Sequence, residues 1–161
     1  MGFSELWCSW ILSCLSSAVI SVLVNGTPTR VFGISRGLRQ GCPLSPMLFN
    51  IVAEALSSLL TKAVSNGFFS GFNLGADGLG ISHLQFADDL VIFCGRSETQ
   101  IRNVIRLLRG FEVAAGLRVN RGKSKLIGIN IEDNVVSSWA SLFHCKNEKF
   151  PCFYLGLSLG H

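Results

Sequence analysis

The chain has 161 residues, of which 48% are apolar and 15% are charged, and its formal net charge is +4. This length favours one domain with a real core, the apolar content excludes a disordered chain, and so weak a charge indicates no particular partner by itself. The mean hydropathy of +0.44 is high for a soluble domain. It indicates either membrane association or apolar faces that meet other parts of a larger protein.

The first predicted elements are a helix and a β-hairpin. Residues 3–17 have a helical pattern, and residues 18–24 and 29–35 are predicted as strands. Asn25-Gly26 between the strands is a strong signal for a tight hairpin turn.

The uncharged stretch 7–24 is long enough to cross a membrane as a helix. Its serines and the hairpin signal at its end favour instead a buried helix that runs into a strand. We therefore expect no membrane partner, and a small membrane-associated protein is kept as an alternative.

A loop rich in glycine and proline, residues 35–46, leads into a long predicted helix. Ser45 is predicted to be the N-cap, with Pro46 in the first turn. Apolar residues then recur with a period near 3.6 as far as Asn66-Gly67, after which a glycine-rich segment is predicted to form a strand and a turn.

Two aspartates interrupt an apolar run in the middle of the chain. Residues 81–86 and 90–94 are predicted strands, and Ala87, Asp88 and Asp89 lie between them. The run from 83 to 94 contains no lysine or arginine that could neutralise the carboxylates. Acidic pairs are common in hairpin turns, but hard oxygen ligands at a rigid tip also suit Mg²⁺, and two such ions stabilise the attacking and leaving oxygens of a nucleotidyl transfer.

The second half alternates predicted helices and strands. Ser97 and Gln100 form a capping box at the start of a helix that Gly116 closes. Strands are predicted within "LRVN", "SKLIGI" and "CFYLGLSLG", and a helix over 132–143. Strands and helices without a repeat predict an α+β fold with a mostly antiparallel sheet and packed helices.

Basic residues fall into three groups, and each group is interpreted either as a solvated face or as a contact for a polyanion. The groups are Arg30, Arg36 and Arg39; Arg102, Arg106 and Arg109; and Arg118, Arg121, Lys123 and Lys125.

Six cysteines without a C-x-x-C pair, most in apolar surroundings, predict reduced core thiols in an intracellular protein. His144, Cys145 and Cys152 match no usual zinc spacing and are interpreted as structural.

Five blocks in a fixed order resemble the reverse transcriptases of non-LTR (LINE-type) retrotransposons, those of plants in particular. They are "SVLVNG", "GLRQGCPLSPMLFNIVAEAL", "ISHLQFADDLVIF", "GLRVNRGKSKL" and "YLGLSLG". The blocks extend over nearly the whole chain. The resemblance implies a polymerase palm that uses Mg²⁺, an RNA template, a DNA primer and deoxynucleoside triphosphates.

The resemblance also assigns roles to individual residues. Asp88, with Asp89 beside it, matches the metal-binding aspartates. Arg39, Gln40 and Gly41 match the segment at the incoming nucleotide and template, and glycine there permits close backbone approach. Lys123 matches a lysine that serves the leaving pyrophosphate. Tyr154, Leu155 and Gly156 lie where the family places its primer-gripping hairpin, although Ser158 replaces a frequent proline.

The family's site needs another carboxylate from a strand before the helix that begins near Phe3, and no block of the sequence matches that strand. We therefore expect residues 1–161 to be a partial palm, without fingers, first catalytic strand or thumb, and inactive as it stands. A non-enzymatic nucleic-acid-binding remnant is the main alternative function.

Overall fold

The computed structural model describes residues 2–34, 37, 39, 41–75 and 78–160. These residues form four helices and twelve short strands, so the predicted mixed α+β class is confirmed. The helices are α1 (Glu5–Ser16), α2 (Leu44–Ser65), α3 (Glu98–Ala115) and α4 (Asp133–Phe143). The strands are β1 (Val19–Ile20), β2 (Leu23–Val24), β3 (Thr27–Pro28), β4 (Phe32–Gly33), β5 (Phe72–Leu74), β6 (Leu79–Ile81), β7 (His83–Phe86), β8 (Asp89–Ile92), β9 (Lys125–Ile127), β10 (Lys146–Glu148), β11 (Cys152–Tyr154) and β12 (Leu157–Leu159).

The strands pair two by two. In the described ranges β1 pairs with β4, β2 with β3, β5 with β6, β7 with β8, and β11 with β12, all antiparallel, whereas β9 and β10 are parallel. The prediction of mostly antiparallel pairing is therefore confirmed. The strands do not join into one sheet, however, because each ladder has only two members in this part of the structure.

The chain divides into two compact units, residues 1–55 and residues 56–161. In the first unit, α1 begins after Ser4, whose hydroxyl accepts the amide of Trp7 at 3.2 Å as an N-cap. The predicted hairpin is confirmed, since β2 and β3 meet around Asn25 and Gly26, which both have positive φ.

One sequence prediction for the first unit, the burial of its helix, is wrong. The helix predicted over 3–17 is interpreted from the sequence as buried, but α1 has no buried residue. Its apolar residues are spread around the helix instead of forming one stripe, as Leu6, Trp10 and Leu12 illustrate, each more than half exposed. Since α1 ends at Ser16 and short strands follow from Val19, the stretch 7–24 is a helix that runs into strands, as predicted, and not one continuous helix.

Ser45 is not the N-cap of α2, because that helix begins one residue earlier at Leu44. The Ser45 hydroxyl donates to the carbonyl of Arg39 at 3.0 Å. With 22 residues and an 18-residue stretch whose mean hydropathy is 1.4, α2 is long and apolar enough to cross a membrane, a test that core helices of soluble proteins also pass.

The second unit contains all the described residues whose hydrophobic side chains are buried. One cluster joins Leu56, Leu60 and Ala63 of α2 to Phe69 and to Leu108 of α3. A second cluster joins Ile101 and Ile105 of α3 to Trp139 of α4. The arginines of α3 lie on the opposite, exposed side of that helix, as its amphipathic pattern predicts.

The predicted capping box at α3 is wrong in its contacts. Ser97 is the N-cap residue but makes no side-chain cap hydrogen bond. Gln100 turns away from it, and its Oε1 accepts the amide of Ser70 at 2.9 Å, the hydroxyl of Ser70 at 3.1 Å and the amide of Gly95 at 2.8 Å. Gly116 does close α3, with φ +71°.

The cysteines are free thiols, but they are not all in the core. Cys152 is buried, Cys42, Cys94 and Cys145 are half-buried, and Cys8 and Cys14 are exposed. Burial raises the pKa of the Cys94 and Cys145 thiols. The prediction of core thiols is therefore wrong for the two exposed cysteines, both of which lie in the unburied helix α1.

Candidate functional site

The two aspartates lie at the end of the β7–β8 hairpin. Phe86 pairs with Asp89, so the turn consists of Ala87 and Asp88, and Asp89 is the first residue of β8. Ala87 has φ +50°, the positive value that a type II′ turn requires at its first central residue. The turn is thus one residue shorter than the three residues between the predicted strands.

The hairpin is anchored to the core through one of its faces. Leu90 and Ile92 of β8 pack against the cluster formed by α2 and α3. On β7 the ring of His83 lies 2.8 Å from the Ser82 hydroxyl and 2.9 Å from the Ser57 hydroxyl of α2. These contacts hold the strands, and therefore the turn between them, against the helices.

The other face of the hairpin carries Asp89. Directly opposed residues of an antiparallel pair share a face, so Asp89 lies on the side of Phe86, Leu84 and Val91. Phe86 is 63% exposed and Leu84 is 45% exposed. Asp89 therefore lies at the end of a largely exposed apolar face.

Asp88 and Asp89 are both exposed. Within the described ranges, neither carboxylate accepts a side-chain hydrogen bond or forms an ion pair. Their oxygen donors suit a hard divalent cation, which in proteins often has one or two carboxylates and completes its shell with water and substrate phosphates. No cluster of three metal-ligating side chains occurs among residues that the structure describes, so the fit is to a site with two protein carboxylates.

The predicted nucleotide and template segment belongs to the first unit. Gln40 lies outside the described residues. Arg39 is exposed, and Gly41 has φ +80°, a conformation that glycine adopts without strain. The backbone amide of Leu44 lowers the pKa of the Cys42 thiol, and the charge of Arg39 acts in the same direction.

Lys123 is exposed in the turn that joins α3 to β9. Its amide donates to the Asn120 carbonyl at 3.1 Å and to Asn120 Oδ1 at 3.2 Å. The Ser124 amide and hydroxyl both donate to the same carbonyl at 2.9 Å. Asn120 therefore fixes the backbone of the turn that presents Lys123.

Tyr154, Leu155 and Gly156 form a tight hairpin end. Tyr154 pairs with Leu157, and Leu155 and Gly156 have φ +51° and +79°, as a type I′ turn requires. The predicted final strand is thus two strands, β11 and β12, with a turn between them. Phe153 is 75% exposed, so this hairpin presents an apolar surface.

The structure brings together Asp88 and Asp89, while Lys123 and the β11–β12 hairpin lie in the same compact unit. No hydrogen bond or ion pair within the described part of the chain links Lys123 or Tyr154 to either aspartate. Two of the four residues in the third basic group form ion pairs. Arg121 pairs with Glu112 at 3.0 Å, and Lys125 pairs with Glu148 at 2.6 Å.

The sequence does not predict the contacts by which Glu112 holds the segment that contains Lys123. From its position Glu112 is one of two acids at the ends of the arginine helix. In the structure its carboxylate accepts the Val119 amide at 2.8 Å and Arg121 Nη2 at 3.0 Å. The spacing of nine residues from Arg121 gives no local signal, because the two meet only after the chain turns back at Gly116.

Comparison with known proteins identifies a family model described as reverse transcriptase (RNA-dependent DNA polymerase), which matches residues 1–159. An uncharacterized mitochondrial protein of Arabidopsis thaliana is 45% identical over 67 residues, which are 42% of this chain and 55% of that protein. A retrovirus-related Pol polyprotein from a type-1 retrotransposable element R2 of Popillia japonica is 31% identical over 130 residues, 80% of this chain. The Pol polyprotein from the type-2 element R2DM of Drosophila melanogaster is 31% identical over 107 residues.

The chain spans about half the length of the mitochondrial relative and a small part of the polyproteins. The match to the Popillia japonica polyprotein covers 17% of its length, and the match to the Drosophila melanogaster polyprotein covers 9%.

Proposed function

The chain belongs to the reverse transcriptase (RNA-dependent DNA polymerase) family, of the kind found in LINE-type retrotransposons, and on this premise we propose that it is a partial polymerase palm. The family generally uses divalent metal ions and acts on nucleotides with an RNA template. The observation that carries the proposal is the β7–β8 hairpin, which presents at its tip two exposed carboxylates that have no side-chain partner among the described residues.

Asp88 and Asp89 are the residues that would hold Mg²⁺. When bound, the metal supplies charge stabilisation for the oxygens of a nucleotidyl transfer. The carboxylates are suited to this task because they are exposed, adjacent in sequence and fixed at the end of a hairpin packed on two helices. Rigid placement matters because Mg²⁺ demands near-octahedral geometry from its ligands.

The other proposed roles concern the substrates. Arg39, Gln40 and Gly41 would lie at the nucleotide and template, Lys123 at the leaving pyrophosphate, and Tyr154, Leu155 and Gly156 at the primer. The substrates of the complete protein would be a DNA primer, an RNA template and deoxynucleoside triphosphates inside the cell. The exposure of Lys123 and the apolar surface of the β11–β12 hairpin are compatible with these contacts.

We further propose that this chain alone does not polymerise. Two metal ions carry four positive charges, whereas Asp88 and Asp89 supply two negative ones, and the sequence has no match to the strand that bears the family's other carboxylate. Loss of several kcal/mol of transition-state stabilisation corresponds to a rate loss of a thousandfold or more, at ~1.4 kcal/mol per factor of ten.

Two measurements on the purified chain test this proposal. With a DNA primer annealed to an RNA template, Mg²⁺ and deoxynucleoside triphosphates, we expect no primer extension. Extension that Asp88→Asn abolishes would show that the chain is a competent polymerase.

The second measurement is the affinity for a deoxynucleoside triphosphate with and without Mg²⁺. We expect Mg²⁺ to raise this affinity about tenfold, and Asp88→Asn to remove the increase. Glu98→Gln is the matched control, because it also removes one carboxylate but one that is paired with Arg102 on α3. An increase that survives in Asp88→Asn would contradict the assignment of the metal site.

One observation favours nucleic-acid binding without catalysis as a second function. Arg102, Arg106 and Arg109 are all exposed on one side of α3. If they contact phosphates, the binding constant for an RNA–DNA duplex falls steeply with salt, and changing all three to glutamine reduces the slope by about three, since each phosphate contact contributes roughly one. An unchanged slope would exclude this surface.

A further inference from the structure

Residues 116–124, between α3 and β9, are held by contacts of Glu112, a residue that has no role in the proposed function. Glu112, on the last turn of α3, reaches past the end of the helix with both carboxylate oxygens occupied. Oε1 accepts the Val119 amide at 2.8 Å, and Oε2 accepts Arg121 Nη2 at 3.0 Å. One side chain therefore fixes the segment at two positions, two and four residues before Lys123.

Glu112 is well shielded from water for a carboxylate. Its side chain is 14% exposed, and that of Arg121 is 35% exposed. The Arg121 guanidinium also lies over the ring of Phe143 of α4, 5.9 Å from its centroid. Shielding strengthens the ion pair relative to one in water, and makes the loss of either partner costly.

Further hydrogen bonds within the segment connect the residues that Glu112 holds to Lys123. Asn120 lies between Val119 and Arg121, and its carbonyl and side chain accept the amides of Lys123 and Ser124. On the far side, the Ser124 carbonyl accepts the Lys146 amide at the start of β10, at 3.3 Å. The turn that carries Lys123 is thus fixed from α3 on one side and from the β9–β10 ladder on the other.

Charge gives Glu112 a second effect. Because Arg121 is engaged by Glu112, Lys123 is the cation of residues 119–124 that has no ion pair among the described residues, and Arg118, one residue before this turn, is a second exposed cation. Without Glu112, the guanidinium of Arg121 would be released next to Lys123 and could compete for the same anion. Both effects, the fixed backbone and the pairing of Arg121, reduce the number of positions that the positive charge of this turn can take.

We propose that Glu112 is a positioning residue for Lys123: it fixes the 119–124 turn and pairs with Arg121, so that within this turn the Lys123 ammonium, and not the Arg121 guanidinium, is offered to a nucleotide's phosphates. This inference rests on the proposed function for the phosphate contact of Lys123. The effect of Glu112 on the turn itself does not depend on that function and can be measured separately.

The first readout is amide hydrogen exchange in the purified chain. Glu112→Gln keeps an oxygen acceptor for the Val119 amide but removes the charge that holds Arg121. We expect exchange at Val119, Lys123 and Ser124 to accelerate about tenfold, which corresponds to ~1.4 kcal/mol. Exchange at Leu60, which is fully buried inside α2, reports on the core and is expected to stay unchanged.

The second readout is the affinity for a deoxynucleoside triphosphate with Mg²⁺, in a double-mutant cycle. Lys123→Met is expected to weaken binding about tenfold, and Glu112→Gln about fivefold. In the Lys123→Met background, Glu112→Gln is expected to have no further effect, because the residue that it positions is absent. A merely structural residue would weaken binding equally in both backgrounds.

Glu98→Gln is the control, since it removes a carboxylate paired with Arg102 on the same helix and should change neither readout. Should Glu112→Gln unfold, Glu112→Asp keeps the charge but shortens the side chain, and the same pattern is expected in milder form. Unchanged exchange at Lys123 and Ser124 in the Glu112 variants would overturn the proposal.

The two readouts separate the possible failures. If Lys123→Met leaves triphosphate binding unchanged, the proposed role of Lys123 is wrong, while accelerated exchange would still support the effect of Glu112 on the turn. If Lys123→Met weakens binding and Glu112→Gln weakens it by the same factor in both backgrounds, Lys123 has its role but Glu112 does not position it.

Discussion

Ala87 shows how a single residue fixes the geometry of the candidate metal site. Its φ of +50° is a conformation that costs an L-residue ~1–2 kcal/mol. The pairing of Phe86 with Asp89 leaves only two residues for the turn, so Ala87 must adopt it. Backbone strain of this kind is often found where a site needs side chains in one defined place.

Ala87→Val should therefore destabilise the chain by ~1–2 kcal/mol, because a β-branched residue tolerates positive φ poorly. Ala87→Gly should stay within ~0.5 kcal/mol of the parent, since glycine relieves the strain but gains entropy in the unfolded chain. Chemical denaturation of the three proteins measures the difference. Equal stabilities of the valine and glycine variants would contradict this conformation.

At the residue scale, the sequence predicts turns well where it contains glycine. Asn25-Gly26 gives a clear signal, and both residues have positive φ. Ala87 gives no such signal, because alanine has no preference for positive φ and its conformation is imposed by the strand register. The site's chemistry could be predicted from Asp88 and Asp89, but the placement of Asp89 inside β8 could not.

At the scale of elements, Gln100 is the clearest example of a contact between segments that the sequence does not predict. It ties α3 to two preceding segments by accepting hydrogen bonds from Ser70 and from the Gly95 amide, all on one oxygen. Local sequence favours a capping box with Ser97, but tertiary structure brings the two donors of Ser70 to Gln100. A contact across 30 residues cannot be predicted from a spacing of three.

Gln100→Ala should lower the free energy of unfolding by ~1 kcal/mol, because it removes three hydrogen bonds, of which the one from the half-buried Gly95 amide is shielded from water and the two from Ser70 are exposed. The neighbouring Thr99 is exposed, and Thr99→Ala should change stability by less than ~0.5 kcal/mol. Thermal or urea unfolding monitored by circular dichroism provides both values. Equal effects of the two substitutions would mean that the hydrogen bonds of Gln100 contribute little.

The β9–β10 ladder marks another limit of sequence reasoning. Its strands are parallel, and Lys125 lies opposite Lys146, an arrangement that repels unless an acid is near. Glu148 provides that acid, with its Oε1 2.6 Å from Lys125 Nζ. The sequence predicts a strand around Lys125, but neither its parallel partner nor this ion pair, which joins residues 23 positions apart.

For the molecule as a whole, burial is unevenly distributed along the chain. Both hydrophobic clusters lie in residues 56–161, whereas no described residue of 2–55 is buried. The high mean hydropathy therefore corresponds to apolar side chains left exposed, among them Leu6, Trp10 and Leu12. Large exposed apolar surface usually marks a place of contact with other protein or with membrane.

Hydrogen exchange followed by mass spectrometry should therefore divide the chain in two. Peptides from α1 are expected to exchange at least ~100-fold faster than peptides from α3 and α4, since protection follows burial and cooperative packing. Equal protection of α1 and α3 in the isolated chain would show that the first unit is covered in solution.

Family membership could be predicted from the sequence because it depends on five motifs in a fixed order, which can be read without knowing where they lie in the fold. The uneven burial of the two units could not be predicted, because hydropathy alone does not show which apolar residues pack against others. The mostly antiparallel pairing was likewise predictable from turn signals, whereas the separation into two-stranded ladders depends on which strands meet in space.

The most direct test of the central claim is to locate a bound divalent ion by nuclear magnetic resonance, with Mn²⁺ as the paramagnetic substitute for Mg²⁺. We predict that substoichiometric Mn²⁺ broadens the amide signals of Phe86 to Leu90 first, and that excess Mg²⁺ restores them. In Asp88→Asn the selective broadening should be lost, while in Glu98→Gln it should persist. Broadening centred elsewhere, or unchanged in Asp88→Asn, would contradict a metal site at this hairpin.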